Sequence, residues 1–212
     1  MVNGCMLTEM TEQAETRHER KERTRQALMD GTLALAAERG FAALSLREIA
    51  RSAGIVPTAF YRHFTSLEDL ATALVDEGIN RLRLSLREVR RKPDANLSEV
   101  VRYLFDQVEP RRELFGFLIR ERHGGAAAVR AAIASELHLI MRELVADLSR
   151  VRALDDWGPK DLETAADLLI STVADGIAAY LAATPREEAA VIDRTVTQVR
   201  LIVLGMGMWK PA

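Results

Sequence analysis

The sequence predicts an all-α protein, with an N-terminal three-helix helix-turn-helix head followed by a helical body, about nine helices in all. Three observations carry that expectation. Hydrophobic residues make up 48% of the 212-residue chain and aromatics only 5%, with much Ala, Leu, Arg and Glu, a balance that favours helices. Apolar residues recur at three- and four-residue spacing, and no segment alternates convincingly at period two. Glycine, proline and capping residues punctuate these runs at helix-length intervals.

The elements follow in order. Residues 1–16 show no apolar period and are expected to form a disordered tail. In RHERKERTRQALMDGTLALAAERG, Leu28, Gly31, Thr32, Leu35 and Ala36 make one helix face, and Gly40 sits where a C-terminal cap belongs. Ser45 and Glu48 of SLRE form a capping box that opens a short second helix, buried through Leu46, Ile49, Ala50 and Ala53. Gly54 permits a tight turn, and Pro57 suits the first position of a third helix. SLED at 66–69 opens a long helix through Leu67, Leu70, Leu74 and Leu82 that ends before Pro93. Asn96 caps a helix running to Glu109, and Pro110 opens another that Gly124 and Gly125 terminate. A long helix follows through AAVRAAIASELHLIMRELVADLSRV, WGP at 157–159 breaks the chain, and helices around 160–183 and 186–208 complete it. The expected division is a tail at 1–16, a helix-turn-helix domain at 17–65 and a helical body at 66–212, which the resemblance described below makes a ligand-binding and dimerisation domain.

Composition narrows the function classes. No stretch approaches the roughly 20 uninterrupted apolar residues of a membrane span. Glu9, Glu12 and Glu15 precede any Lys or Arg, which reads as neither a signal nor a transit peptide, so the expected location is the cytoplasm. Cys5 is the only cysteine, which excludes an internal disulfide and any multi-cysteine metal site. The net charge of −2 conceals a basic segment: residues 17–63 hold nine Lys/Arg against five Asp/Glu. A local excess of that kind on a mildly acidic body suggests an anionic partner. There is no GxSxG elbow, no phosphate loop and no His pair at metal-binding helical spacing, since His18, His63, His123 and His138 are scattered. Neither an enzyme nor a metal or cofactor is expected.

Helix, glycine turn and short helix over 45–63 match a helix-turn-helix, whose second helix lies in the major groove while the first braces it. Ile55 and Phe60 can bury beneath, leaving Thr58, Ala59, Tyr61, Arg62 and His63 outside. Thr58 offers a hydroxyl and a methyl, and Ala59 can meet a thymine methyl. Tyr61, Arg62 and His63 can reach phosphate oxygens, which fix register. Arg47 can meet phosphate with help from its helix dipole. Ser45 and Pro57, at the two helix starts, belong to the same candidate surface, as do Arg23 and Arg25 of the basic run that also holds Arg20 and Lys21. A solvated helix end would have a similar composition, but the cap, turn and cluster together favour DNA.

These residues resemble the TetR family of one-component bacterial repressors, through GFAALSLREIARSAGIVPTAFYRHFTSLEDLATALVDE at 40–77. The resemblance implies a homodimer whose heads bind a palindromic double-stranded operator, and a C-terminal domain whose small ligand usually releases the DNA. It places Thr58, Tyr61 and His63 where family members contact DNA. SLREIARSAGIVPTAFYRHF, LATALVDEG and LFGFLIRERHGGAAAVRAAIASEL further resemble the FabR/DesT branch, regulators of unsaturated fatty acid synthesis. That likeness implies a long-chain acyl-CoA or acyl carrier protein thioester as effector.

For such a ligand the candidates are Leu114, Phe115, Phe117 and Leu118, with Arg120, Arg122 and His123 as cations at the helix end. Leu137, Leu144 and Met141 can line the same cavity, and Asp175 can be a polar group within it or at a dimer seam. Ordinary core packing explains each residue equally well. The last two helices are the expected seam, through Leu169, Thr172, Gly176, Tyr180, Leu201 and Gly205, in a four-helix bundle. Two other readings stay open: a repressor sensing a drug or another hydrophobic metabolite, as in control of efflux, and a lipid carrier with a vestigial head.

Overall fold

The computed structural model describes residues 16–90 and 96–210. The expected tail up to residue 15, Cys5 and the stop before Pro93 lie outside the described residues. Among the described residues every regular element is helical. The nine α-helices are α1 (Arg17–Arg39), α2 (Leu46–Ser52), α3 (Pro57–Phe60), α4 (Leu67–Arg90), α5 (Leu97–Val108), α6 (Arg112–Gly124), α7 (Ala127–Leu148), α8 (Pro159–Ala182) and α9 (Glu188–Met208).

Local chemistry sets these boundaries. α1 starts on a capping box that sequence reading passed over: the Thr16 amide donates to Glu19 Oε2 at 2.7 Å, and the Glu19 amide donates to Thr16 Oγ1 at 3.2 Å. Its buried face is Leu28, Met29, Thr32, Leu33 and Ala36. Leu35, expected on that face, is only half-buried. The Thr32 hydroxyl, fully buried, donates to the Leu28 carbonyl at 2.7 Å and so carries no unpaired polar atom into the core. Asn96 caps α5 as expected, accepting from the Glu99 amide at 3.0 Å. Pro110 lies in a single 3-10 turn, Glu109–Arg111, and α6 begins only at Arg112.

α1, α2 and α3 form the head, and α4 leads from it into the body. There α4 packs on α7, α8 on α7 and α9, and α5 on α9. α6 lies between the two parts, touching α1 on one side and α7 and α8 on the other. The joint is aromatic: the rings of Phe41 in the head and Phe117 on α6 meet edge to face, 5.7 Å between centroids. Tyr180, Glu109, Arg112 and Glu188 tie the helix ends beside it. The Tyr180 hydroxyl donates to Glu109 Oε2 at 2.6 Å, and Arg112 Nη1 donates to Glu109 at 2.6 Å and Glu188 at 2.9 Å.

α8 is long and apolar enough to cross a membrane by length and composition, and the structure gives those residues other partners. Its inner side packs in the core, and Gly176 lies so close to α9 that a Cβ there would stand 2.5 Å from Thr195 Oγ1. Its outer side leaves Leu168 51% exposed.

Candidate nucleic-acid interface and apolar cavity

The helix-turn-helix is built by its caps and one left-handed glycine. The Ser45 amide donates to Glu48 Oε2 at 3.0 Å, and the Glu48 amide donates to Ser45 Oγ at 3.3 Å. Arg39 adds an ion pair to Glu48 at 2.9 Å. Hydrogen bonds from Ser45, with help from Arg39, pull the Glu48 carboxyl down to about 2. The turn passes through Gly54 at φ +69°, where a side chain would be strained. Beyond it the Ile55 amide donates to the Ala50 carbonyl at 2.9 Å, closing the turn onto α2. Pro57, exposed at the first position of α3, sets φ where no amide proton is needed.

α3 itself is a single turn, but the winding continues: the amides of Arg62, His63 and Phe64 donate to the carbonyls of Ala59, Phe60 and Phe60. Phe60 and Phe64 are buried beneath, their ring centroids 5.8 Å apart. On the outside stand Thr58, Tyr61 and Arg62, all exposed, with Ala59 half-buried between them. Arg47 and Arg23 are exposed as well. This ridge can present hydroxyls, a methyl and cations to a groove.

Three candidates sit differently from their expected roles. The Ser45 hydroxyl donates to Glu48 at 2.7 Å while accepting the Glu48 amide, so its hydrogen bonds are engaged in the cap. Arg25 lies with its guanidinium 4.4 Å from the centre of the Phe64 ring, a cation–π contact holding it against the head. His63 is half-buried, its Nδ1 without a partner. Burial, then the positive charges of Lys21 and Arg25, holds its imidazole below the usual histidine range, favouring the neutral ring.

The apolar cavity lies elsewhere than the sequence suggested. A space of about 170 Å³ opens between α4, α5, α7 and α8, closed at one edge by Val199 of α9. Its fifteen lining residues are all Leu, Ile, Val or Ala. Of the ligand candidates only Leu137 lines it, together with Leu144. Leu82 and Leu86 of α4 and Leu97 and Leu104 of α5 line it from the facing side; of these, periodicity marks only Leu82, as part of a helix face.

The α6 candidates belong to the joint. Phe117 is fully buried against Phe41, and Phe115 and Leu118 are in the core. Leu114 lines an open cleft of about 410 Å³ between head and body, with Gln26 and Asp30 from α1 and Glu77 and Arg81 from α4. Arg120 and His123 are exposed, and Arg122 is half-buried. None of the three lines the cavity, and neither does the half-buried Met141. Asp175 is exposed, not buried in a pocket.

The seam candidates divide in the same way. Leu169, Gly176 and Tyr180 are buried inside the subunit, so they have little surface left for a partner. Leu169 lines the cavity, Gly176 faces Thr195 and Tyr180 joins the polar cluster. The Thr172 hydroxyl donates to the Leu168 carbonyl at 2.8 Å. Leu201, 64% exposed, and Gly205 do face outward, beside Leu168, Leu204, Met208 and Trp209.

Comparison with known proteins matches this anatomy. Residues 28–74 match the family model of bacterial regulatory proteins of the tetR family, and residues 93–205 match the tetracyclin repressor-like C-terminal domain. Among solved structures the chain is similar to a transcriptional regulator from Rhodococcus sp. Rha1, at 22% identity over 87% of this chain and 96% of that one, with a TM-score of 0.66. It is also similar to the fatty acid degradation regulator FadR from Bacillus halodurans, at 18% identity over 86% and 95%, with a TM-score of 0.71. SmeT, solved in complex with triclosan, is similar at 18% identity over 86% and 90%, with a TM-score of 0.70. At these identities the structural likenesses speak for the fold. The two family models together span head and body, and the chain belongs to the TetR family of bacterial regulatory proteins, as a ligand-responsive, DNA-binding transcriptional regulator.

Proposed function

We propose that this regulator is a repressor of fatty acid metabolism genes that reads a palindromic operator as a homodimer and answers to a long-chain acyl thioester. Residues 17–65 are its reading head and residues 66–212 its sensing and dimerisation body. Thr58, Ala59, Tyr61 and Arg62 form the groove-facing ridge, with the half-buried His63 at its end, and Arg47 and Arg23 flank it at the phosphates.

The observation that carries the effector class is the wholly apolar lining of the cavity against α4, the helix that leads to the head. Such a lining offers no hydrogen bond, so a polar or charged group inside it would lose its water without compensation. An acyl tail meets that condition, with the CoA headgroup remaining outside. The resemblance to the FabR/DesT branch and the fold shared with FadR of Bacillus halodurans make the acyl thioester the first candidate.

Size gives the mechanism. A cavity of about 170 Å³ is close to one that holds a benzene-sized molecule, roughly 150 Å³, and well below usual ligand pockets. A long chain enters only by parting α4 from α5, α7 and α8. The effector therefore favours the parted setting, and through α4 the head shifts with it.

The same volume favours one competing reading, a compact uncharged effector, as SmeT binds triclosan in its solved complex. The test is fluorescence anisotropy on the duplex upstream of the protein's own gene, at fixed salt because phosphate contacts weaken with ionic strength. Unequal shifts on adding oleoyl-CoA and palmitoyl-CoA support the acyl reading. Indifference to both, with release by triclosan, replaces it with the compact effector. Replacing Tyr61 and Arg62 with alanine together lowers operator affinity by about tenfold or more if the ridge reads DNA. Unchanged binding in that variant removes the head from the mechanism.

A further inference from the structure

Among the described residues of the head, two large hydrophobic side chains stand exposed, Val56 at 64% and Tyr61 at 62%. Tyr61 belongs to the ridge already described. Val56 precedes it, at the start of α3. Its neighbour Ile55 packs against the core, and Val56 is left to solvent.

The position is one where the chain places hydroxyls elsewhere. The neighbouring helices α1, α2 and α4 start on Thr16, Ser45 and Ser66, whose oxygens accept the amides of Glu19, Glu48 and Asp69. Val56 occupies the same N-cap place on α3 and makes no side-chain hydrogen bond. Valine ranks far below serine or threonine at that position. The recognition helix alone among these four therefore goes without a hydroxyl cap, and two solvent-exposed methyl groups stand in its place.

Those methyls are also held in advance. Pro57 confines the residue before it to extended backbone, and Val56 lies there at φ −74° and ψ 146°. Its carbonyl accepts the Ala59 amide at 2.9 Å. Branching at Cβ restricts the side chain further, so contact with a partner costs little additional ordering. The surrounding chemistry narrows that partner. From Ser52 to Tyr61 the chain has no Arg, Lys, Asn or Gln, the side chains that read guanine or adenine through paired hydrogen bonds. Arg51 and Arg62 bracket this uncharged tip. In a major groove, the group that meets an aliphatic side chain is the C5 methyl of thymine.

We infer that Val56 is a specificity-determining residue that packs on a thymine methyl in each operator half-site. The cations around it hold the register on the phosphates, and Val56 distinguishes the base. The inference rests on the ridge of the proposed function and is independent of which effector the cavity takes.

The test uses the full chain and a duplex that it selects from a random pool. That duplex is made with thymine and then with deoxyuridine, which lacks only the methyl, at one symmetric pair of positions at a time. Fluorescence anisotropy at fixed salt is the readout. The parent is expected to lose about fourfold per half-site at one such pair, and about fifteenfold for both, as for burial of one methyl-sized group. Val56→Ala binds the thymine duplex more weakly by a similar factor and no longer responds at that pair, while its response at other positions is unchanged. Val56→Ser controls for folding: it supplies the missing cap, so its melting temperature is not lowered, yet it shows the same loss of response. The inference is overturned if no thymine pair in the selected duplex responds to loss of its methyl, or if the duplex contains none. It is equally overturned if Val56→Ala keeps the parent's response at every pair, or if Val56→Ala unfolds the head. Failure of the ridge itself is distinct, because replacing Tyr61 and Arg62 with alanine would then leave affinity for the same duplex unchanged.

Discussion

α6 and the helices around the cavity are both faced with apolar residues and do opposite things with them. α6 drives Phe115, Phe117 and Leu118 into contact with neighbours, and Phe117 meets Phe41 across the joint. α4, α5, α7 and α8 turn Leu, Ile, Val and Ala toward each other and leave a space between them. Contact makes the joint stiff, because a close-packed core transmits displacement. A gap leaves the surrounding helices with fewer dispersion partners and a lower cost of moving apart. A sensor needs both: a compartment that gives way to its ligand and a coupling that does not.

The largest effect expected is at the joint. Phe117→Ala removes a fully buried ring and lowers unfolding free energy by about 3–5 kcal/mol, read by urea denaturation. A loss below about 1 kcal/mol would mean that the joint is looser than its packing implies. The sharpest contrast comes next, from adding volume in the two regions. Val129→Leu, at a fully buried position at the start of α7, costs about 1–3 kcal/mol by overpacking. Ala174→Leu projects into the cavity, stays within about 1 kcal/mol of the parent, and abolishes the effector response while operator binding persists. Equal costs at the two sites would erase the distinction between solid and hollow.

The smallest effect is that of pH on the polar cluster beside the joint. The Tyr180 hydroxyl, then Arg112, holds the Glu109 carboxyl below its usual value, while burial and Glu109 push the Tyr180 phenol up to about 12. A carboxyl whose folded value is depressed contributes stability that is complete above its unfolded value near 4.5 and is lost as pH falls through the lower folded value. Tyr180→Phe removes the leading cause, so the variant is less stable than the parent at neutral pH. The two converge as acid protonates Glu109, and a gap unchanged from neutral pH to the acid end of the titration would assign Tyr180 a packing role alone. The cavity wall has no group to titrate, so effector-free opening there is indifferent to pH over this range.

The same contrast explains what was legible in the sequence. The head was readable because its features are local: Ser45 with Glu48, Gly54 in the turn and Pro57 at a helix start each fix backbone within a few residues. The Thr16–Glu19 box is equally local, but the polar stretch RHERKERTRQ follows it where an apolar run would mark a helix start. The cavity was unreadable for a physical reason. Periodicity reports that Phe117 and Leu104 turn away from water, but not whether another atom or a void lies opposite. Of the two readings of Asp175 the exposed position removes the pocket one and leaves the seam: α8 is apolar on two sides, one facing the cavity and one facing outward, so the intervening stretch looks continuously buried. Leu169 and Tyr180 were given to the seam by the same overlap, whereas Leu201 and Gly205 lie on the outward side of α9.

The length of α4 carries one further consequence. Its 24 residues make a rod about 36 Å long at 1.5 Å per residue, with Leu82 and Leu86 well toward the end remote from the head. Geometry alone then supplies gain: a swing of about 10° around that remote end carries Leu67 through about 6 Å. That is half the width of a major groove, about 12 Å. A small parting of side chains around the cavity becomes, at the duplex, a misfit in register between two half-sites. With the effector in that cavity, as proposed, the protein works as a lever whose short arm is touched by the effector and whose long arm points at the operator.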